Sequence, residues 1–251
     1  MARPGQNSAK KKPTLEMLID LTHIIMVVLG KLSFEQVQNL LSKKAFLQAK
    51  LVEVFGIVLN PDPFADIRLE WEKFYLDHFD VSADFTDVVI PPKPSDGEWR
   101  PIFILKGLTM NQTLAAMQEK FKVWVRRECE EVGLDAFVTF NARTTTASYA
   151  VWVRAGDEPD ITHIGRSTRD ADMSGRIGVT LLERMLLEMK YSADTGKNLD
   201  LIGATICTGS RDANGGVLIM YSHPEDNGRL VNLAGVDFSG STDGLREAVS
   251  L

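Results

Sequence analysis

The chain has 251 residues, of which 44% are hydrophobic and 25% charged; that length accommodates one large domain or two small ones and buries a core without covalent staples. A mean hydropathy of −0.07 excludes wholesale disorder, a fibrous repeat and a multi-span membrane protein. Two cysteines, Cys129 and Cys207, give neither a disulfide framework nor a tetrahedral zinc site, so the expected setting is cytoplasmic.

The net charge of −6 and the pI near 5.3 argue against a protein that coats nucleic acid over its whole surface. The charge is unevenly placed. Residues 1–60 carry eight basic and four acidic side chains, a balance of +4, and the remainder carries −10. Such a split fits a solvated tail, or a basic arm for nucleic acid or membrane on an acidic body.

Residues 1–13 form a polar basic tail. Lys10–Lys12 followed by Leu15–Leu29 has the outline of a signal peptide, but Glu16, Asp20 and His23 interrupt the apolar run, and Gly30-Lys31-Leu32 offers no small-x-small cleavage site. The run also falls short of the ~20 apolar residues that cross a bilayer. No transmembrane segment is expected. Residues 14–58 read as a small bundle of three helices: Thr14 opens the first and Gly30 closes it, Ser33 with Gln36 forms a capping box for the second, and Ser42 to Gly56 bounds the third. Asn60-Pro61-Asp62-Pro63 then breaks the chain, since residues before proline leave the α region.

The body, 60–251, begins with a helix from about Phe64 to Phe79. Its Phe64, Ile67, Trp71, Phe74, Tyr75 and His78 recur at steps of three and four and require cover. A stiff connector, 91–98, leads to a strand at Pro101–Lys106. Thr109 with Gln112 is a second capping box, and Leu114, Met117, Phe121 and Trp124 lie along one side of the helix that follows. Ala136–Phe140 and Ser148–Arg154 read as strands, with Asn141–Thr146 suited to a hairpin connection. Residues 155–178 lack a period and read as a long loop. Thr180 with Glu183 opens a helix to about Ala193, striped by Leu181, Leu182, Met185, Leu186 and Met189, with Gly196 at its C-terminal cap. Three strands follow at Leu201–Thr208, Val217–Ser222 and Leu230–Phe238, with Asn214-Gly215 a hairpin signal. The expected class is α+β: a small N-terminal helical bundle, then a mostly antiparallel sheet with helices packed on one face.

Lys106-Gly107-Leu108-Thr109-Met110-Asn111, Ser148-Tyr149-Ala150-Val151-Trp152-Val153-Arg154 and Thr180-Leu181-Leu182-Glu183-Arg184 running on to Lys190-Tyr191 are joined by three further stretches. These are Thr195-Gly196-Lys197-Asn198-Leu199-Asp200, Gly209-Ser210-Arg211-Asp212 and the terminal Leu245-Arg246. In this order they give the chain from about Pro61 onward a resemblance to a family of uncharacterised proteins encoded by uncultured, ultrasmall bacteria with reduced genomes. The resemblance implies no activity. Similar proteins continue the Trp152-Val153-Arg154 strand with Asp-Arg and carry tryptophans in their last strands; here Ala155-Gly156 and Leu218–Tyr221 stand instead.

Three sets of residues carry candidate chemistry. Asp157, Asp160 and His163, three apart, place oxygen and nitrogen donors on one turn, as a divalent metal needs; a solvated acidic loop is the simpler reading, and no metal or cofactor is assigned. Cys207, followed by Gly209-Ser210-Arg211, suits a nucleophile beside an anion-binding turn, with His163 or His223 as its base, or a small buried hydrophobe. Arginines punctuate the middle at 143, 154, 166, 169, 176, 184 and 211. Their guanidinium forks suit phosphate or carboxylate, and Arg154, Arg211 and Ser210 are the candidate anion site; pairing with neighbouring acids is the alternative. No dinucleotide, Walker, H-E-x-x-H or G-x-S-x-G motif occurs in its required context.

Three functions follow from these features. The first is a non-enzymatic binding protein with a protein partner. The second is an enzyme or binding domain for a phosphorylated or otherwise anionic small molecule. The third is DNA binding through residues 1–58, recognisable by salt-dependent binding to duplex DNA.

Overall fold

A computed structural model describes residues 30–42, 62–169, 178–223 and 228–251, with the single positions 23, 27, 28 and 225. Its contacts divide the chain into two compact units, 1–63 and 64–251.

In the first unit, α1 spans Phe34–Ser42. The Gln36 amide donates to Ser33 Oγ at 3.2 Å and the Ser33 amide donates to Gln36 Oε1 at 2.8 Å, the reciprocal capping that the S-x-x-Q spacing calls for. Most of the helix expected after Thr14, and the one expected between Ser42 and Gly56, lie outside the described residues.

The second unit is α+β and has two sheets. Its helices are α2 (Ala65–Phe79), α3 (Met110–Lys120), α4 (Arg127–Val132), α5 (Leu134–Phe137) and α6 (Leu181–Thr195), with a 3-10 turn at Ile161–His163. The first sheet is antiparallel, in the order β1 (Trp99–Ile104), β4 (Tyr149–Arg154), β9 (Ala248–Val249). The second is mixed. It runs β2 (Lys122–Val125), β7 (Gly228–Ala234), β6 (Val217–His223), β5 (Thr205–Asp212), β3 (Val138–Asn141), with β8 (Gly244–Leu245) on β5. The pairs β2–β7 and β5–β8 are parallel.

The aromatic face of α2 is covered as its spacing requires. Trp71, Phe74 and Tyr75 are buried, Phe85 and Phe103 pack on them, and the Tyr75 hydroxyl donates to the Phe103 carbonyl at 2.9 Å. Both capping boxes of the body form, at Thr109/Gln112 and Thr180/Glu183. Gly196 closes α6 at φ +70°, a left-handed conformation that costs a residue with a Cβ.

The helix α6 touches β1 of the first sheet, β5 and β6 of the second, and α3. It is therefore buried well beyond its apolar stripe: Glu183, Arg184 and Glu188 are enclosed along with Leu181, Met185 and Met189. One face of the second sheet, with Cys207, Leu218, Met220 and Val231, joins this main core. Its other face holds a smaller cluster around Ile206, Val217 and Ile219.

Three expectations are corrected. The body has two sheets instead of one, because β3 and β4 do not form a hairpin: β3 pairs with β5 and β4 with β1. The helix expected to run through Trp124 stops at Lys120, Phe121 is already extended, and residues 122–125 pair with β7. The run Phe121–Val125 satisfies helical and alternating patterns alike, and pairing with a distant strand decides between them. The strand expected from Leu201 begins at Thr205, since the Glu158 carboxylate accepts from the amides of Leu201, Ile202 and Gly203 at 2.9–3.1 Å and holds them in a turn.

Candidate functional site

Charged side chains on α6 meet charged side chains from the strands in a buried network. The Arg184 guanidinium donates to Asp200 Oδ2 through Nε at 3.0 Å and Nη2 at 2.7 Å, and to Glu188 Oε2 at 2.9 Å. Arg246 donates to Asp200 Oδ1 at 2.8 Å and to the Gly156 carbonyl at 2.7 Å. Arg229 donates to Glu188 Oε1 at 3.0 Å and stacks on the Phe121 ring at 4.0 Å. All five of these ionic side chains are fully enclosed. Burial on this scale is tolerated only where each charge has partners. Arg184 sits among two carboxylates and keeps its proton more firmly than a free guanidinium.

A second buried pair lies at the N-terminus of α6. Arg143 donates to both Glu183 oxygens at 2.6 and 2.7 Å, and the Tyr149 hydroxyl donates to Glu183 Oε1 at 2.9 Å. Burial by itself would lift the Glu183 carboxyl; Arg143, the Thr180 amide and Tyr149 outweigh it and hold the group below its ordinary range.

The arginines named from sequence are thus distributed among several partners. Arg143 and Arg184 are in the buried pairs. Arg154, at the end of β4, donates to Asp96 Oδ2 at 2.6 Å and stacks on Trp99 at 4.2 Å. Arg169 pairs with Asp237 at the surface, and Arg176 lies outside the described residues. Arg211 is on β5, in the other sheet from Arg154. The Ser210 hydroxyl donates to Asn141 Oδ1 at 2.6 Å and accepts from the Leu181 amide at 2.9 Å. Arg154 and Arg211 therefore belong to different sheets, and Ser210 ties β5 to β3 and α6.

Cys207 is enclosed within β5. Burial pushes its thiol up to about 12, and Cys129 likewise up to about 11. These surroundings disfavour the thiolate that a nucleophile requires. His223 stands at the exposed end of β6 against the Trp124 ring.

His163 is buried at the end of the 3-10 turn that Asp160 precedes. The turn brings the two onto one side, with the His163 amide donating to the Asp160 carbonyl at 2.7 Å. Asp157, the third member of the spacing pattern, turns away and accepts from the Tyr191 hydroxyl at 2.7 Å. Its place is taken by Glu247, whose amide donates to Asp160 Oδ2 at 2.7 Å. Donor atoms of Asp160, His163 and Glu247 all lie within 4.8 Å of one another. Gly244 permits this approach, since a Cβ there would stand 3.1 Å from the His163 carbonyl oxygen and from Ile164 Cα. Burial raises the Asp160 carboxyl to about 6.

Beside this segment the second sheet carries a groove of about 330 Å³ with a mixed lining, in which Leu201, Ile202, Ile219, Tyr221 and Phe238 stand beside Ser222, His223 and Asp243. Ile202 is 76% exposed, Leu201 43% and Phe238 38%. A larger open groove of about 690 Å³ lies between the end of α2 and α3, lined by Leu76, His78, Val81, Lys106, Gln112 and Glu119 among others.

Sequence reasoning named none of Glu188, Asp200, Arg229, Arg246 and Glu247 as a site residue; Asp200 and Arg246 entered only within the stretches that carry the resemblance. The four-residue step from Arg184 to Glu188 on a helix was the one local signal for this network. Among the described residues, no helix is long and apolar enough to cross a membrane. Comparison of the chain with protein-family models, with curated proteins and with solved structures finds no match.

Proposed function

We propose that this chain is a non-enzymatic interaction protein whose body binds a protein partner through the groove bounded by Leu201, Ile202 and Phe238. The observation that carries this reading is the clustering of three exposed apolar side chains around one concavity, at a turn whose amides donate to the Glu158 carboxylate. Exposed apolar residues are ordinary when scattered, whereas gathered around a groove they favour association. The arginines support the same choice from the other side. Arg143, Arg184, Arg229 and Arg246 neutralise buried carboxylates of the same chain, which leaves them committed to stability. We retain, as part of this reading, a small helical bundle over 14–58 preceding the body, and a cytoplasmic setting.

The test places a photocrosslinking amino acid at position 202, and at position 106 as a control, in the cells that make the protein. A partner crosslinked at 202 and not at 106 is then purified and titrated against wild type and Ile202→Asp. Binding by wild type, weakened about tenfold or more by the charge placed in the groove, is expected. Equal crosslinking at both positions, or equal affinity of the two proteins, overturns the reading.

A further inference from the structure

We propose that Asp160, His163 and Glu247 form a binding site for one divalent transition-metal cation of the zinc, manganese or ferrous class. Two carboxylates and one imidazole are the donor set such ions accept, and a hard calcium site would call for more oxygens. The chain assembles the set from two distant stretches. Asp160 and His163 flank one 3-10 turn, and β8–β9 carries Glu247 to them. The Asp160 amide donates to the Leu245 carbonyl at 3.0 Å, and the Glu247 amide donates to Asp160 Oδ2.

An independent observation points to a ligand. Asp160 is 7% exposed, and its Oδ1 is buried with no hydrogen-bond partner among the described residues. A carboxylate oxygen enclosed in this way carries a desolvation cost that a cation offsets. Two arginines stand nearby, and each has a carboxylate of its own: Arg154 donates to Asp96 at 2.6 Å and Arg246 to Asp200 at 2.8 Å. Arg154 also reaches Glu247, at 3.7 Å. The donor atoms lie within 4.8 Å of one another; ligands on metal bonds of roughly 2.0–2.2 Å stand about 3–3.6 Å apart, so a bound ion would draw the three together by up to about 1–2 Å. The site is separate from the docking reading above and does not depend on it.

The full chain, treated with a chelator and desalted, is titrated with zinc chloride and with manganese chloride by calorimetry. Asp160→Asn, His163→Gln and Asp157→Asn are titrated alongside, and urea midpoints taken in chelator establish that each is folded. One equivalent of at least one metal is expected to bind wild type and Asp157→Asn alike, with binding about tenfold or more weaker in Asp160→Asn and His163→Gln. Should either of these variants lose the fold, Glu247→Gln carries the same comparison. Cobalt substituted in the wild-type site is expected to give a visible absorption band that zinc displaces. The absence of stoichiometric binding, or equal binding by wild type and the ligand variants, overturns the proposal.

Discussion

Asp200 is the residue on which the buried network turns, and Asp200→Asn is the substitution that tests it. The carboxylate accepts four hydrogen bonds: two from Arg184, one from Arg246 and one from Thr205 Oγ1 at 2.5 Å. With Glu188 it faces three enclosed guanidinium groups, so the network holds three cations and two anions. Asparagine preserves the shape and leaves one anion against three cations, while its amide nitrogen presents a donor where only donors approach. The backbone confounds nothing, because Asp200 sits at φ +53°, a conformation that asparagine tolerates as well as aspartate. Loss of a charge-assisted hydrogen bond is worth about 1.5–3 kcal/mol, and an uncompensated buried charge brings the expected loss to about 3–5 kcal/mol. In a domain of this size that corresponds to a fall of roughly 10 °C in Tm. Urea unfolding at pH 7, followed by tryptophan fluorescence and circular dichroism, measures it. Arg246→Met supplies the second arm of a double-mutant cycle: with the facing charge removed, the pair of substitutions should cost less than the sum of the single ones by about 1 kcal/mol or more. A loss for Asp200→Asn below about 1 kcal/mol, the level of an exposed ion pair, or strict additivity, refutes the reasoning.

Glu183 gives a pH dependence. Its folded-state carboxyl is held below the ordinary range, so its contribution is present above the unfolded pKa of about 4.3 and is lost as pH falls below it. Glu183→Gln should therefore be less stable at pH 7 and lose less on acidification from pH 5 to 3; parallel wild-type and variant profiles of midpoint against pH would contradict this. Thr180→Ala removes the hydroxyl that accepts from the Glu183 amide at 3.2 Å and should lower stability by about 1–2 kcal/mol, measured as a shift of urea midpoint; an unchanged midpoint would show the cap to be energetically idle. Both thiols, raised by burial to about 11 for Cys129 and about 12 for Cys207, should resist a thiol reagent at pH 8 in the native protein and react in urea. Mass spectrometry that found one stoichiometric adduct in the native state would count against the enclosure of that cysteine. Asp96→Asn, at the exposed Arg154 pair, should leave the unfolding midpoint unchanged, and a clear shift would mean that this pair is not the surface contact its exposure indicates.

Local features were legible wherever a short-range rule applies. Three capping boxes, at Ser33/Gln36, Thr109/Gln112 and Thr180/Glu183, were readable because their partners stand three residues apart and the geometry is internal to one helical turn. The aromatic face of α2 and the cap at Gly196 followed from spacing in the same way. The candidate site was legible only in part. Asp160 and His163 share a turn and were found together, whereas Glu247 is separated from them by most of the second sheet and Asp157 is drawn off by Tyr191.

The amino-acid sequence by itself determined the α+β class, the places where α1, α2, α3 and α6 begin, the apolar stripes and the separation of a basic lead from an acidic body. Each of these depends on neighbours within a few residues. The short helices α4 and α5 were not foreseen, and the strand expected at Ala136–Phe140 is helical to Phe137. Tertiary structure alone decided that β3 and β4 enter different sheets, that residues 122–125 abandon a helix to pair with β7, and that three arginines and two carboxylates are enclosed together. Those outcomes depend on strand pairing and charge compensation between residues far apart in the chain. A buried arginine and a solvated one look the same in sequence until the fold brings a carboxylate to the first.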